Sequence, residues 1–357
     1  MPGIGVTRSV GAAVVCAIVA LVLVELALQA RAQQRTGGSV FSLMLGETTY
    51  VKHPQLDVRI LRPSSVIKGT RQTIATNRYG LRDDDYEPIP PAGERRIALL
   101  GASTIMGAYA PTNAQTSSAA LQRYLNAGQD RDSYKVVNAG LAGTTILGQS
   151  RILTGMLPDL GVTQVIWYPG TNDIGCSAAT NPRITSAIRL SWPDLPKWTL
   201  TSDIIVKNTA FLRSSSTASS PSLRPTFDQA AVRARIEAGV RAAKQAGLSV
   251  VLVTSATSFR SNMPASQITS RAASALFFRP CYSGPELAAA VDSLNAALRD
   301  VAREQGVPLI DAARLLPPDP RLFGDSSHFT VAGEEAFAAV VASELGRQRL
   351  LTGTLPP

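Results

Sequence analysis

The chain has 357 residues, which is enough for one large or two small domains with a substantial buried core. Its 45% apolar and 17% charged residues exclude a largely disordered protein. The formal charge of +9 indicates a basic surface that attracts anionic neighbours. The sequence has no zinc-knuckle spacing, no phosphate-binding loop and no alternation of basic and aromatic residues, which argues against nucleic-acid binding.

The first predicted element is an apolar helix near the N-terminus. The stretch from Val10 to Val24 carries no charge and is flanked by arginines. Its length is short for a membrane span and suits a signal peptide cleaved near Ala30-Arg31-Ala32, although Glu25 could lie at the interface of a tilted anchor. We therefore expect residues 1–32 to be a membrane anchor or a signal segment. The remaining chain is expected to be periplasmic or extracellular, and secreted if the segment is cleaved.

Residues 33–94 show little periodicity and end in the proline-rich run Glu87-Pro88-Ile89-Pro90-Pro91. We interpret them as an irregular preface and a proline-stiffened linker. His53, which lies in this part, is most simply a surface residue. The ordered domain is predicted to span residues 95–350.

Within that domain, strand and helix signals alternate. Strands are predicted at residues 96–100, 134–138, 164–168, 248–254 and 307–311, and helices at residues 116–125, 227–245, 286–304 and 331–350. Such alternation favours a parallel sheet with helices on both faces and right-handed crossovers. The predicted fold class is α/β, a three-layer α/β/α sandwich with a five-stranded parallel sheet, preceded by the N-terminal apolar helix.

Two long stretches, near residues 176–225 and 259–285, interrupt the alternation and are predicted to be inserted loops. Long loops in compact domains are often lids or binding loops. In the first insert, Trp192 and Trp198 could contact a substrate or could pack the insert itself.

The three cysteines indicate an oxidising compartment. Cys16 lies in the apolar segment, which leaves Cys176 and Cys281 as an even pair outside it. A disulfide between them would connect two loops near the predicted site. Two unpaired thiols are the alternative.

Residues suited to acyl chemistry follow the predicted strands, at the edge where open α/β sheets bind ligands. Ser103 follows the first strand, and His328 follows the fifth with Asp325 three residues before it. A serine hydroxyl needs a base to accept its proton, and an imidazole does this best when a carboxylate fixes its tautomer. Ser103, His328 and Asp325 are therefore the candidate nucleophile, base and orienting carboxylate.

Acyl transfer also needs donors for the oxyanion that forms on the substrate. The candidates are the backbone N–H groups of Ser103 and Gly140 and the side-chain amide of Asn172. Taken singly, each of these site residues has a plain structural alternative. Serine and aspartate cap helices, glycine and asparagine form turns, and a histidine can lie in a core.

Four blocks occur in order at these strand ends: Gly101-Ala102-Ser103, Asn138-Ala139-Gly140, Gly170-Thr171-Asn172-Asp173 and Asp325-x-x-His328. Over about residues 95–347 they resemble the four blocks of the SGNH (GDSL-type) hydrolases. In addition, Asn77-x-x-Gly80-x-Arg82 is similar to the preface of membrane-anchored bacterial members. The resemblance implies a flavodoxin-like sandwich and a serine esterase, lipase, deacetylase or acyltransferase that needs no metal or cofactor.

The resemblance also implies that Ser103 is the nucleophile and an oxyanion donor, with the other site residues in the roles given above. Ala102 departs from the usual Gly-Asp-Ser of the first block and removes a carboxylate that supports the nucleophile turn. Ile105 replaces the second glycine of a Gly-x-Ser-x-Gly elbow, which argues against the α/β-hydrolase family. Two histidines cannot supply a multi-histidine metal site.

The expected function is that of an extracytoplasmic serine esterase. It would cleave small acyl esters, acetyl esters above all, through an acyl-serine intermediate, on envelope or exported glycans. One alternative is an O-acyltransferase that passes the acyl group to a polysaccharide with the same triad. The other is a catalytically weak protein that binds or assembles a glycan. The expected partners are the acyl ester and the membrane.

Overall fold

The structure is a computed structural model that describes residues 4–36, 49–68, 72–128, 133–178 and 223–351. The chain forms two compact units. One unit includes the N-terminal helix, and the other includes the central sheet and the predicted site.

The N-terminal helix α1 (Ile4–Thr36) confirms the predicted apolar helix. Its apolar stretch Gly11–Ala30 has 20 residues, and most of its side chains are exposed. At about 1.5 Å per residue this stretch matches the hydrocarbon core of a bilayer, which is about 30 Å thick. Whether the helix remains as an anchor or is removed as a signal stays a prediction.

The preface is ordered where the structure describes it, contrary to the prediction of an irregular segment. It forms four three-residue strands: β1 (Tyr50–Lys52), β2 (Arg59–Leu61), β3 (Val66–Lys68) and β4 (Thr73–Ala75). Leu61, Leu81 and Arg82 are fully buried. Strands this short produce no recognisable periodicity, which explains why the sequence pattern did not predict them. The domain boundary near residue 95 stays a prediction.

The predicted five-stranded parallel sheet is confirmed. The remaining strands are β5 (Arg95–Gly101), β6 (Tyr134–Gly140), β7 (Val162–Tyr168), β8 (Cys176–Ala178), β9 (Leu223–Pro225), β10 (Ser249–Val253) and β11 (Leu309–Ile310). The sheet order is β11-β10-β7-β5-β6, and every adjacent pair is parallel. This is the flavodoxin-like order, with the topological switch point between β5 and β7.

Nine further helices are described: α2 (Ser103–Met106), α3 (Ser117–Asn126), α4 (Ile146–Gly155), α5 (Gln229–Gln245), α6 (Ala265–Arg271), α7 (Ala273–Phe278), α8 (Gly284–Gln305), α9 (Ala312–Leu315) and α10 (Val331–Arg347). The four predicted helices correspond to α3, α5, α8 and α10 and agree within a few residues. Short 3-10 turns occur at Asn113–Gln115 and Pro158–Leu160.

The core lies on both faces of the sheet, because successive residues of a strand point to opposite sides. On one face, Leu100 and Trp167 pack in a cluster with residues of α4, α5 and α8. On the other, Leu99 and Ile166 pack in a cluster with residues of α3 and α10. The three-layer sandwich is thus built from adjacent residues of the same strands.

The stretch 259–285 is not the long loop that was predicted, since it contains the short helices α6 and α7. Helices of six or seven residues are too short to show a clear helical period. Only the two ends of the stretch 176–225 are described, and they form the antiparallel pair β8–β9. Trp192 and Trp198 lie outside the described residues.

Candidate active site

Ser103 begins the short helix α2, immediately after β5 at the switch point of the sheet. The backbone folds tightly here, because the N–H of Met106 donates to the carbonyl of Ala102 at 3.0 Å. β6 approaches this turn so closely that a Cβ on Gly140 would lie 2.1 Å from the Met106 nitrogen. Glycine at position 140 therefore allows the nucleophile turn to form against β6.

The structure brings Ser103, His328 and Asp325 together. The Oγ of Ser103 lies 2.7 Å from Nε2 of His328, and Nδ1 of His328 lies 2.7 Å from Oδ2 of Asp325. These are hydrogen-bond distances, and together they place a proton on Nδ1 and leave Nε2 to accept from the serine. This is the arrangement in which an imidazole can take a proton from a serine hydroxyl.

The carboxylate of Asp325 is held by its own loop. Its Oδ1 accepts hydrogen bonds from the N–H groups of Ser327 and His328, both at 2.9 Å. Burial alone would raise its pKa, but the hydrogen bond and charge of His328, together with these two N–H groups, hold the pKa of Asp325 below its usual range. The carboxylate is therefore ionised at neutral pH and can stabilise a positively charged imidazole.

The loop that carries these two residues is closed at its base. Phe323 and Phe329 pair across an antiparallel bridge, and the N–H of Gly324 donates to the carbonyl of His328 at 2.8 Å. The ring of Phe329 stacks on that of Phe337 in the core. The position of His328 is thus set by apolar packing directly beside it.

Asn172 lies in the loop after β7, across the switch point from Ser103. Its Nδ2 donates to the carbonyl of Thr144 at 3.1 Å. A side-chain amide has two N–H donors, so this bond orients the group, and within the described ranges no acceptor takes its second N–H. The next residue, Asp173, accepts from the N–H of Ile146 at 2.8 Å and so caps the start of α4.

The structure does not support Gly140 as an oxyanion donor. Its N–H already donates to Oδ1 of Asn138 at 3.1 Å, and the residue is buried. Gly143, three residues later, is exposed and has a φ of 75°. Among the described residues, none accepts a hydrogen bond from its N–H. Gly143 immediately precedes Thr144, which holds Asn172, so it is the better placed donor of the two.

The insert around α6 and α7 contacts both loops of the site. The predicted disulfide between Cys176 and Cys281 is present, with Cα atoms 5.9 Å apart, and it attaches the insert to the loop that follows Asn172. At the other end, Ser274 Oγ accepts from the N–H of Ser326 at 3.0 Å, beside His328. One inserted segment therefore connects the two loops that carry Asn172 and His328.

Arg82 supports the nucleophile turn from the preface, a role that the sequence pattern did not reveal. Asn77 and Gly80 shape the turn before it: Asn77 Oδ1 accepts from two backbone N–H groups, and Gly80 has a φ of 73°. The guanidinium donates to the carbonyls of Gly107 at 2.5 Å and Ala110 at 2.8 Å. Burial lowers the pKa of Arg82 to about 10, although the carboxylate of Glu334 offsets part of the effect.

Comparison with protein-family models identifies a family for this chain. A family model described as the GDSL-like lipase/acylhydrolase family matches residues 99–336. No curated protein matches the chain.

Solved structures that resemble this one include three bacterial proteins. A lipase/acylhydrolase from Enterococcus faecalis is 17% identical, with 71% of this chain and 96% of that chain covered and a TM-score of 0.45. A GDSL-like lipase from Bacteroides thetaiotaomicron is 14% identical, with 72% and 91% covered and a TM-score of 0.43. An acetylxylan esterase from Geobacillus stearothermophilus is 15% identical, with 71% and 95% covered and a TM-score of 0.44.

Proposed function

This chain belongs to the GDSL-like lipase/acylhydrolase family, the SGNH hydrolases, and we propose that Ser103, His328 and Asp325 form its catalytic triad. The observation that carries the proposal is the pair of 2.7 Å contacts from Ser103 Oγ to His328 and from His328 to Asp325. Acyl transfer requires a nucleophile and a base within hydrogen-bond reach of each other, and a third group that orients the base.

In the first half of the reaction, Ser103 Oγ attacks the carbonyl carbon of the ester while its proton passes to Nε2 of His328. Asp325 Oδ2 accepts from Nδ1 and stabilises the imidazolium that forms. The tetrahedral intermediate collapses when the C–O bond to the alcohol breaks and Nε2 returns the proton to the leaving oxygen. The product of this half is an acyl-serine and a free alcohol.

The negative charge on the tetrahedral oxygen needs fixed donors. We assign these to the backbone N–H of Ser103, the backbone N–H of Gly143 and the free N–H of the Asn172 amide. In the second half, His328 takes a proton from water, the hydroxide oxygen attacks the acyl carbon, and Ser103 leaves with the proton from Nε2. The acid is released and the enzyme is restored.

The proposed substrates are small acyl esters, acetyl esters above all, on glycans outside the cytoplasm. Two features support the location. The stretch Gly11–Ala30 is long and apolar enough to cross a membrane, and the Cys176–Cys281 disulfide is typical of an oxidising compartment. A sugar hydroxyl could replace water as the acceptor of the acyl group, and the protein would then be an O-acyltransferase.

The test uses the full chain, purified in detergent, with p-nitrophenyl acetate and a fluorophosphonate probe. We expect Ser103-dependent turnover and labelling, and we expect Ser103→Ala and His328→Ala each to lower kcat by about ten-thousand-fold or more. Ser293→Ala is the matched control, because this hydroxyl donates to its own helix, at Ala289, and should leave both signals unchanged.

The outcomes distinguish the candidate functions. Acyl transfer to a glycan acceptor that exceeds hydrolysis would favour the acyltransferase. Turnover or labelling that persists in Ser103→Ala would contradict the assigned nucleophile. If the wild-type protein showed neither signal, a protein that binds glycan without acyl chemistry would be the better description.

A further inference from the structure

Tyr109 contacts the Asp325–His328 pair from the loop that leaves the nucleophile turn. Its hydroxyl donates to Oδ2 of Asp325 at 3.3 Å, the same oxygen that accepts from His328 Nδ1. The tyrosine and imidazole rings are tilted, with centroids 6.0 Å apart. The tyrosine is 38% exposed, so solvent reaches part of the ring beside this pair.

The loop that carries Tyr109 is fixed on both sides of this residue. Arg82, which is 1% exposed, donates to the carbonyls of Gly107 and Ala110. The N–H of Ala110 also donates to the carbonyl of Gly107 at 3.0 Å, which closes the turn around Tyr109. The tyrosine backbone is therefore held by a buried cation.

The ring of Tyr109 lies directly on the backbone of Gly324. A Cβ at position 324 would lie between 2.8 and 3.0 Å from three atoms of the tyrosine ring, which is closer than real Cβ contacts allow. Gly324 in turn donates its N–H to the carbonyl of His328. The ring and the histidine loop are thus packed so closely that a side chain at position 324 would have to displace the ring.

We propose that Tyr109 is a positioning residue, which completes the hydrogen bonds of Asp325 and thereby fixes the imidazole of His328. Oδ1 of Asp325 accepts two backbone N–H groups, and Oδ2 accepts His328 Nδ1 and the tyrosine hydroxyl. An ionised carboxylate has about four acceptor sites, so these four donors fill the acceptor sites of Asp325. The inference rests on the proposed triad, since Tyr109 acts on the reaction through Asp325.

The groups that face this carboxylate are His328, the hydroxyl of Tyr109 and the N–H groups of Ser327 and His328. Removal of the hydroxyl takes a donor from the ionised form, so the pKa of Asp325 should rise. A carboxylate that has lost this donor also stabilises the imidazolium of His328 more strongly, so the acid limb of the kcat/KM profile should move to higher pH. Because Tyr109 acts on the base and not on the ester, kcat should fall while KM stays unchanged.

The experiment compares the full-length wild type in detergent with Tyr109→Phe, using p-nitrophenyl acetate over an acid-to-alkaline pH series. We expect kcat to fall about 3- to 10-fold, the effect of one partly exposed hydrogen bond. Tyr124→Phe is the matched control, because the Tyr124 hydroxyl likewise donates to a carboxylate, that of Glu335, at 3.4 Å. The control should retain the kcat, KM and pH profile of the wild type.

A second variant tests the same geometry without removal of the hydroxyl. Gly324→Ala forces the ring of Tyr109 away from the loop, so it should reproduce the fall in kcat and the shift of the acid limb. Thermal unfolding of each variant checks that the fold is intact.

Three results would overturn the inference. In the first, Tyr109→Phe has the kcat and the acid limb of the wild type while Ser103 remains essential. That result would refute the role of Tyr109 and leave the triad intact. In the second, the variant raises KM at unchanged kcat, which would make Tyr109 a substrate contact. Absence of Ser103-dependent turnover in the wild type would refute the triad and this inference together.

Discussion

At the scale of single residues, Glu334 is a buried acid that the reaction does not use. It is 0% exposed, and its Oε2 accepts from the N–H of Ser117 at 2.8 Å and from the Ser117 hydroxyl. Among the described residues, its Oε1 has no hydrogen-bond partner. Burial raises the pKa of Glu334 to about 8, although Ser117 and the positive charge of Arg82 oppose the rise. The carboxyl is therefore mainly protonated at neutral pH.

This pKa shift predicts how stability depends on pH. The folded pKa is above the unfolded value of 4.5, so the folded state binds more protons between 4.5 and about 8, and stability falls as pH rises through that window. Glu334→Gln removes the titration. As pH rises across this window, the wild type should lose about 3 to 5 kcal/mol of unfolding free energy that the variant retains, at about 1.4 kcal/mol per pKa unit. Urea unfolding at both ends of the window measures this, and parallel pH curves would contradict it.

The sequence predicted which residue types would meet at the site, but not the state of each hydrogen bond. Ser103, Asp325 and His328 were identifiable because only two histidines occur and each group has a distinct chemical role. Gly140 and Gly143 look alike in sequence. Only backbone geometry shows that the first N–H is already bonded and that the second residue has a positive φ.

At the scale of elements, the insert of α6 and α7 attaches to the Asn172 loop through a covalent bond and charge-assisted hydrogen bonds from Arg279. Arg279 donates to the carbonyls of Thr171 at 2.9 Å and Ile174 at 2.6 Å, next to the Cys176–Cys281 disulfide. The disulfide closes a loop with a sequence separation of 105 residues. Such a cross-link reduces the freedom of the unfolded chain and stabilises the fold.

We expect loss of this disulfide to lower the free energy of unfolding by about 2 to 4 kcal/mol. Cys176→Ser, Cys281→Ser and the reduced wild type should all lose stability by similar amounts in urea unfolding. Cys16→Ser is the control and should behave as the wild type with and without reductant. A wild type whose urea midpoint does not respond to reductant would refute the prediction.

The elements that the sequence predicted are those whose apolar period is long enough to read. Strands β5 and β7 contain the apolar runs 97–100 and 165–168, and α8 begins with a capping box at Ser283 and Glu286. In contrast, α4 contains two glycines and α7 has six residues, so neither gives a clear helical pattern. The three-residue strands of the preface are fixed by tertiary contacts, which a local pattern cannot reveal.

At the scale of the whole molecule, the main prediction concerns where the catalytic unit resides. In cells that express the full chain, a protease added outside spheroplasts should degrade the unit that contains Ser103. If α1 remains as an anchor, the intact protein should sediment with membranes and its mass should include residue 1. A cleaved signal should instead give a soluble protein that begins after about residue 32. Protection of the unit from external protease would contradict either arrangement.

The disulfide also has a consequence for how the protein matures. The chain has three cysteines, and Cys16 lies within the stretch proposed to enter the bilayer. Outside the membrane, oxidation within one chain therefore has a single possible product, because a pairing error requires a third accessible thiol. An oxidant alone should be sufficient for correct assembly, and a disulfide isomerase would find no wrong bond to rearrange.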